Sequence, residues 1–393
     1  MEHIGRRNIQ KNTNILNRMV DSRLILLFFP LLTIIGKVVR WTIMRGTLIN
    51  LSKGWGYVDV IVNQTVTFHF FEMEDVLEGS SGSDAALMLF YKFIRKLCFD
   101  IPDDFYSFEI VTTLILGAML FVLCTKIKPY VTVMEFVFLT LAIMVLNVYC
   151  FSLAKESLQM MYFYLLFLVI YTKKVNDRYK LFFGSLVIFF SAATYRTYYV
   201  LILVFTFAFV FFMRFVKFKS DTILYLTVKV TGLFLKMVGV YFAIMCTLLV
   251  MLDSLYERLA TSLLFASDAT SSANTYIENV ITNSTANVFL VVIEYGVMVL
   301  RLLFPFELIS LGVKYWPYII YQLCMSVMMI RTTATYHRNS RIQNVALAFF
   351  VGFVFASATF EVDYGAWIRH GVVTLPLILL MSGTIEKKRI QTI

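Results

Sequence analysis

"VALAFFVGFVFASATFEVDYGAWIRHGVVTLPLILLM", residues 345–381, decides what kind of molecule this is. Two uncharged apolar runs, 345–358 and 372–381, flank a segment that packs Glu361, Asp363, Arg369 and His370 into ten residues. Both runs have the composition of membrane spans, although each falls short of the roughly twenty residues an ideal span needs. The rest of the chain has the same character. Of its 393 residues 59% are hydrophobic and only 15% charged, and it carries 38 Phe and 22 Tyr. A soluble protein of this size could not cover such a surface with polar groups, so lipid is the solvent for much of it. Aromatic residues in this number suit lipid-facing helices and interfacial belts.

Outward from that stretch, further apolar runs lie at 24–44, 105–123, 131–150, 158–171, 181–193, 199–213, 228–252 and 315–330. Basic clusters fall at every second connection. They comprise Arg6, Arg7, Lys11 and Arg18; Lys126 and Lys128; and Lys173, Lys174, Arg178 and Lys180. The later ones are Arg214, Lys217 and Lys219; Arg331, His337, Arg338 and Arg341; and Lys387, Lys388 and Arg389. The positive-inside rule makes these connections cytoplasmic and both termini internal. The net charge of +10 is therefore a topology signal rather than a nucleic-acid stripe. No small-residue cleavage site follows the basic amino terminus, so no cleavable signal peptide is expected. The five Cys include no CxxC and imply no disulfide framework, and the four His lie too far apart in sequence to suggest zinc.

One run breaks the alternation. "NVFLVVIEYGVMVLRLLFPF", residues 287–306, is apolar enough to span, but counting it would put the last two basic clusters outside. It reads instead as a re-entrant or outer-face helix, with Glu294 and Arg301 two turns apart on one face and available to each other. The expected architecture is thus all-α. A single integral membrane domain over 1–393 has about ten transmembrane helices, a first outer loop over 47–104 with an amphipathic helix, and a large outer loop over 253–314.

Lys155, Arg196, Arg301, Arg369 and His370 all map to the outer face near helix ends, where the positive-inside rule disfavours cations. Taken singly, Lys155 has a bland explanation, since long cations at helix ends snorkel to the interface. Arg196 is harder to dismiss, set in "ATYRTYYV" between Tyr195 and Tyr198, whose hydroxyls can orient a guanidinium. Arg301, inside an apolar helix, needs a partner or an anion, and Glu294 is the plain partner. Together the five cations converge from distant segments on one face. The ligand that satisfies them is a di- or polyanion at headgroup depth, such as a lipid-linked pyrophosphate. Arg196, Arg301, Arg369 and Lys155 are the candidate pyrophosphate ligands, with Tyr195, Glu294 and Glu156 in support. His370, Asp363 and Glu361 are candidates for acid–base work on a sugar hydroxyl. His370 is the better base because imidazole titrates near neutrality. In this reading Trp367 marks the aromatic belt, and Arg369 and His370 enter the membrane at the first turn of the last helix, whose positive end favours an anion. The chain has no Walker loop and no GxGxxG, which argues against a nucleotide sugar.

Several of these stretches resemble the polytopic bacterial polysaccharide polymerases of the Wzy and EpsG type. "GSDAALMLFYKFIRKLCFDIPDDFYSFEIVTTLIL" (82–116) is similar to that family's early outer helix, loop and span. "NVYCFSLAKESLQMMYFYLL" (147–166) resembles its Asn-x-x-Arg-Gln segment, with Lys155 in place of the commoner arginine. "FSAATYRTYYVLILVF" (190–205) carries Arg196 where relatives often have a histidine. "RLLFPFELISLGVKYWPYIIYQ" (301–322) and "FEVDYGAWIRHGVVTLPLILLM" (360–381) look like the late outer loop and the closing segment. The resemblance covers most of the chain after about residue 80. It implies a GT-C-like membrane glycosyltransferase of the bacterial inner membrane that needs no metal and no cofactor. Such an enzyme transfers a growing glycan from undecaprenyl pyrophosphate to the non-reducing end of a new lipid-linked unit on the periplasmic face. A flippase and a chain-length regulator are the partners it implies, with no nucleic acid.

Three alternatives stand beside it. Another GT-C glycosyltransferase would use an acidic motif in the first outer loop, for which Glu72, Glu74 and Asp75 are available. An O-antigen ligase differs in its acceptor. A lipid-linked oligosaccharide flippase would line a mid-bilayer path with cations and show an internal repeat, and neither is found here.

Overall fold

The computed structural model describes residues 19–51, 83–97, 105–124, 130–151, 155–172, 175–215, 236–247, 277–281, 287–361 and 363–383, together with 232, 249, 256 and 257. Almost all of these residues are helical. The exception is one antiparallel ribbon, β1 (Met19–Asp21) with β2 (Tyr130–Thr132), in which Val20 faces Val131. In chain order the helices are α1 (Arg23–Leu51), α2 (Ser83–Leu97), α3 (Phe105–Val122), α4 (Val133–Tyr149), α5 (Lys155–Tyr171) and α6 (Asp177–Thr194). They continue as α7 (Val200–Phe215), α8 (Lys236–Thr247), α9 (Val288–Leu303), α10 (Trp316–Ala334), α11 (Arg341–Ala358), α12 (Tyr364–Val372) and α13 (Leu375–Met381).

Capping fixes where two of the inner helices begin. Thr132 and Glu135 form a capping box ahead of α4, and Ser340 and Gln343 form another ahead of α11. α11 is the axis of the bundle, with 78% of its length buried against protein. α7, extended by the turn before it to Thr197–Phe215, is only 39% buried, and it presents Phe207, Phe211 and Phe215 outward one turn apart. These two helices are long and apolar enough to cross a membrane, and α12 with α13 passes the same test as a pair bent by 67°. α4, α8 and most of α3 are shorter apolar helices. The molecule is therefore a helical membrane protein whose exposed surface is apolar along α1, α6 and α7.

The helices of the core approach each other through small residues. At Gly352 of α11 a Cβ would come within 2.5 Å of the Ile202 carbonyl on α7, and at Gly36 of α1 within 2.5 Å of the Asn147 Cβ on α4. Only glycine permits backbones to close to that distance.

Side-chain contacts define the two ends of α11. At its start Arg341 pairs with Asp177 at 3.4 Å, and the Gln343 amide donates to the Met381 carbonyl at 3.3 Å. Past its other end lies Glu361, bonded to His370. α13 thus returns toward the start of α11, while α12, bent from it by 67°, keeps His370 at the Glu361 end. This corrects the expected closing segment. It is not one helix entered at 372 with Arg369 and His370 in its first turn; those residues occupy the last turn of α12. The cause is Pro376, which lacks the N–H that a continuous helix would need and sits comfortably in the first turn of a new one. Trp367 is likewise no belt residue. It is fully buried, with its indole N–H donating to the Gln322 carbonyl oxygen of α10 at 2.9 Å.

The remaining expected runs coincide with α3–α7, α9 and α10 within a few residues at each end, and α1 starts as expected but runs seven residues past 44. Of the run 228–252 only Gly232, α8 and Leu249 are described with their burial. Most of 47–104 and the first part of 253–314, including Glu72, Glu74 and Asp75, lie outside the described residues. Within 47–104, α2 buries Leu87 and Ile94 and exposes Leu89, Phe93, Lys96 and Leu97.

Candidate functional site

α5, the turn between α6 and α7, and the α11–α12 connection meet at one end of the bundle. α5 brings Glu156 in its first turn. The turn after α6 brings Arg196, whose backbone is extended. The connection brings Glu361, and α12 brings Arg369 and His370. The Arg196 guanidinium donates through Nη2 to His370 Nε2 at 2.8 Å and through Nη1 to the Tyr198 hydroxyl at 2.6 Å. His370 Nδ1 bonds Glu361 Oε1 at 2.5 Å, and Arg196 Nη1 stands 3.6 Å from the same oxygen. Arg369 Nε pairs with Glu156 Oε1 at 3.0 Å, an oxygen that also lies 3.5 Å from His370 Nε2. Aromatic rings wall the cluster. The Arg196 guanidinium stands 5.2 Å from the Tyr195 ring and 5.7 Å from the Tyr198 ring, and Phe360 lies 4.5 Å from Tyr198.

The two shortest contacts suit one histidine tautomer. A guanidinium only donates, so Nε2 accepts from Arg196; an ionised carboxylate only accepts, so Nδ1 donates to Glu361. Arg196 Nη1 also stands 3.4 Å from Nδ1. The ring is oriented by Glu361 with its basic nitrogen turned toward Arg196 and Glu156. That is the arrangement of a general base with an orienting carboxylate. Burial acts to raise the Glu361 carboxyl, but the hydrogen bond from His370 and the charges of Arg196 and Arg369 outweigh it and hold it below the ordinary glutamate value of 4.5. The carboxylate therefore stays ionised at neutral pH and accepts from Nδ1.

α12 is shared with an apolar cleft of about 460 Å³. Gly365 and Ile368 form one wall and Leu141, Val145 and Val148 of α4 another, with Val39, Leu308 and Tyr318 among the others that line it. Arg369 and His370 follow Ile368 directly, so a single helix lines the cleft and carries two residues of the charged cluster.

Of the residues singled out in the sequence, Arg196, Arg369, His370, Glu361, Glu156 and Tyr195 are brought together. Lys155 opens α5 beside Glu156 and is half-buried. The other three stand apart. Arg301 does not pair with Glu294. It binds Glu307 at 2.6 and 2.9 Å, and the Tyr364 hydroxyl bonds that same glutamate. Glu294 instead accepts the backbone N–H groups of Val280 (3.0 Å) and Ile281. A carboxylate that already accepts two backbone N–H groups does not need a guanidinium two turns away. Asp363 is the N-cap of α12, accepting from Ala366 N at 2.9 Å, and lies outside the cluster.

A second charged group escaped the sequence reading. Lys37 and Arg40 of α1 close on Glu109 of α3 at 2.6 and 2.5 Å, and Lys37 also donates to the Phe151 carbonyl. Two cations three residues apart inside the first apolar run were the available signal.

No family model matches the chain, and neither a curated protein nor a solved structure matches it.

Proposed function

We propose that the chain is a bacterial membrane glycosyltransferase of the Wzy and EpsG type, one that joins undecaprenyl-pyrophosphate-linked oligosaccharide units outside the inner membrane. The observation that carries this reading is the convergence of Arg196, Arg369, His370, Glu361 and Glu156 at one end of the bundle, beside an apolar cleft. In it the hydroxyl at the non-reducing end of a new unit attacks the anomeric carbon of the growing glycan. The bond from that carbon to the pyrophosphate oxygen breaks, and its electrons leave with the pyrophosphate. Arg196 and Arg369 hold the departing charge, for which paired guanidiniums are suited. His370 Nε2 takes the hydroxyl proton, and Glu361 keeps the ring in place. The cleft accommodates part of the isoprenoid chain. About ten crossings, internal termini, a GT-C-like fold and independence of metal belong to the same reading.

Two experiments test it. Purified protein given defined lipid-linked repeat units is expected to release longer lipid-linked glycans without added metal; absence of elongation with intact substrate counts against it. In a deletion strain, single units attached to lipid on the outer face are expected. Units trapped inside indicate a flippase instead.

A further inference from the structure

We propose that Arg196 is a latch on the base: it occupies the lone pair of His370 at rest and leaves it only when pyrophosphate binds. The idea rests on reading the cluster as the pyrophosphate site. His370 has no free nitrogen in this structure, since Nδ1 is taken by Glu361 and Nε2 by Arg196 Nη2 at 2.8 Å. A base whose lone pair accepts a hydrogen bond from a guanidinium cannot take a proton from a hydroxyl.

The cluster is layered in a way that orders the events. The Arg196 and Arg369 side chains are 20% and 14% exposed, whereas those of His370, Glu361 and Glu156 are 4%, 7% and 8% exposed. An arriving anion meets the guanidiniums first. Arg369 already faces a carboxylate and gains little by exchanging one anion for another. Arg196 donates to a neutral imidazole and a neutral tyrosine hydroxyl, with the nearest carboxylate oxygen at 3.6 Å. For it, exchange to a phosphoryl oxygen replaces neutral acceptors by charged ones, and charge-assisted bonds are roughly twice as strong. Arg196 is therefore the member that moves.

Once it moves, Nε2 is free to take the proton of the acceptor hydroxyl as the new glycosidic bond forms. The resulting imidazolium finds Glu156 Oε1 3.5 Å from Nε2, already placed to receive the new charge. The base is thereby armed only when the leaving group is in place.

Diethyl pyrocarbonate tests this, because it acylates an imidazole nitrogen only through a free lone pair. Full-length protein at neutral pH is treated with and without inorganic pyrophosphate at matched ionic strength. Modification of the peptide containing His370 is then followed by mass spectrometry. Pyrophosphate is expected to speed that modification by about tenfold, the equivalent of releasing one hydrogen bond. Arg196→Met is expected to react at the faster rate with or without pyrophosphate. The wild-type comparison needs no variant, so a folding defect in Arg196→Met cannot obscure the result. Pyrophosphate that raises the melting temperature but leaves His370 unchanged or protected overturns the latch and spares the anion site. Pyrophosphate that does not bind at all overturns both, and turnover of lipid-linked units then judges the polymerase reading separately.

Discussion

The sequence offers both His370 and Asp363 as bases, with His370 the better one, and the structure separates them by what each one touches. His370 is held at both nitrogens within the charged cluster, whereas Asp363 caps α12. His370→Ala is expected to lower turnover of lipid-linked units by about a hundredfold to ten-thousandfold, the usual cost of losing a general base. Asp363→Asn is expected to turn over normally, because asparagine caps as well as aspartate. Asp363→Ala loses about 1 kcal/mol of stability, read as a lower melting temperature. A dead Asp363→Asn enzyme with a normal melt reverses this assignment. The arginines differ from lysines by geometry. Arg196→Lys and Arg369→Lys are both expected to stay near the alanine variants in activity, since one ammonium cannot reproduce a forked contact to two phosphoryl oxygens; full activity in both shows that charge alone suffices. Glu361 gives a pH test. It lies in the connection between α11 and α12, faced by His370 and Arg369 from α12 and by Arg196 from the turn before α7. Its folded-state value is below 4.5, so its stabilising contribution is complete above 4.5 and is lost as the pH falls through the lowered value. Thermal melts of purified protein from about pH 8 to about pH 3 are expected to stay level and then drop on the acid side. In Glu361→Gln the melt is lower at neutral pH, by about 3 kcal/mol of stability, and the acid drop is shallower.

At the scale of elements, α12 shows what a periodic reading captures and what it passes over. Apolar runs locate helices, because a long apolar segment must be buried in protein or lipid, and the runs at 131–150, 158–171 and 345–358 match α4, α5 and α11 closely. The run at 372–381 misled for a local reason. Its composition is uniform across Val372–Leu377, while Pro376 ends one helix and starts another. That break places Arg369 and His370 at a helix end whose carbonyls favour cations, the opposite of the anion-favouring end expected for them. Of the cations the sequence grouped, Arg196, Arg369 and His370 come together and Arg301 does not; only the folded chain shows their pairing with Glu156 and Glu361. The packing of α7 on α11 is equally invisible to composition. Gly352→Leu puts side-chain atoms where the Ile202 carbonyl and Thr206 stand, and backbone cannot yield as a flexible side chain does. Loss of at least about 3 kcal/mol is expected, measured as a melting shift that exceeds the one for Gly232→Leu, where nothing stands within 4 Å. The cleft can be probed from α4. Val145→Trp fills it and is expected to raise KM for lipid-linked substrate about tenfold at unchanged melting temperature, close to the burial of two methylenes.

For the molecule as a whole, the positive-inside pattern and the contacts in the structure address the same question by independent routes. The basic clusters assign sides from charge alone, and they put Asn176, Arg341 and the residues after Met381 together on one side. In the structure Asp177, Arg341, Gln343 and Met381 meet at one end of α11, and Arg196, Glu156, Glu361 and His370 meet at the other. Grouping by end was thus legible in the sequence, because charge patterning is a property of the whole chain and survives errors in single boundaries. The Arg301–Glu307–Tyr364 and Lys37–Arg40–Glu109 links were not, since each depends on side chains that approach only after helices far apart in sequence have packed. Membrane sidedness then has a direct test at exposed positions. Thr197 lies beside Arg196, and Ser310 lies in the connection that carries Glu307; Asn176 and Ser340 precede α6 and α11 at the opposite end. Single cysteines at Thr197 and Ser310, in a chain with its own cysteines replaced, are expected to react with an impermeant thiol reagent added to intact cells. Cysteines at Asn176 and Ser340 are expected to react only after permeabilisation. The reverse pattern puts the cluster on the cytoplasmic face, where a polymerase of translocated units has no substrate. A mixed pattern within either pair breaks the two-ended arrangement of the bundle.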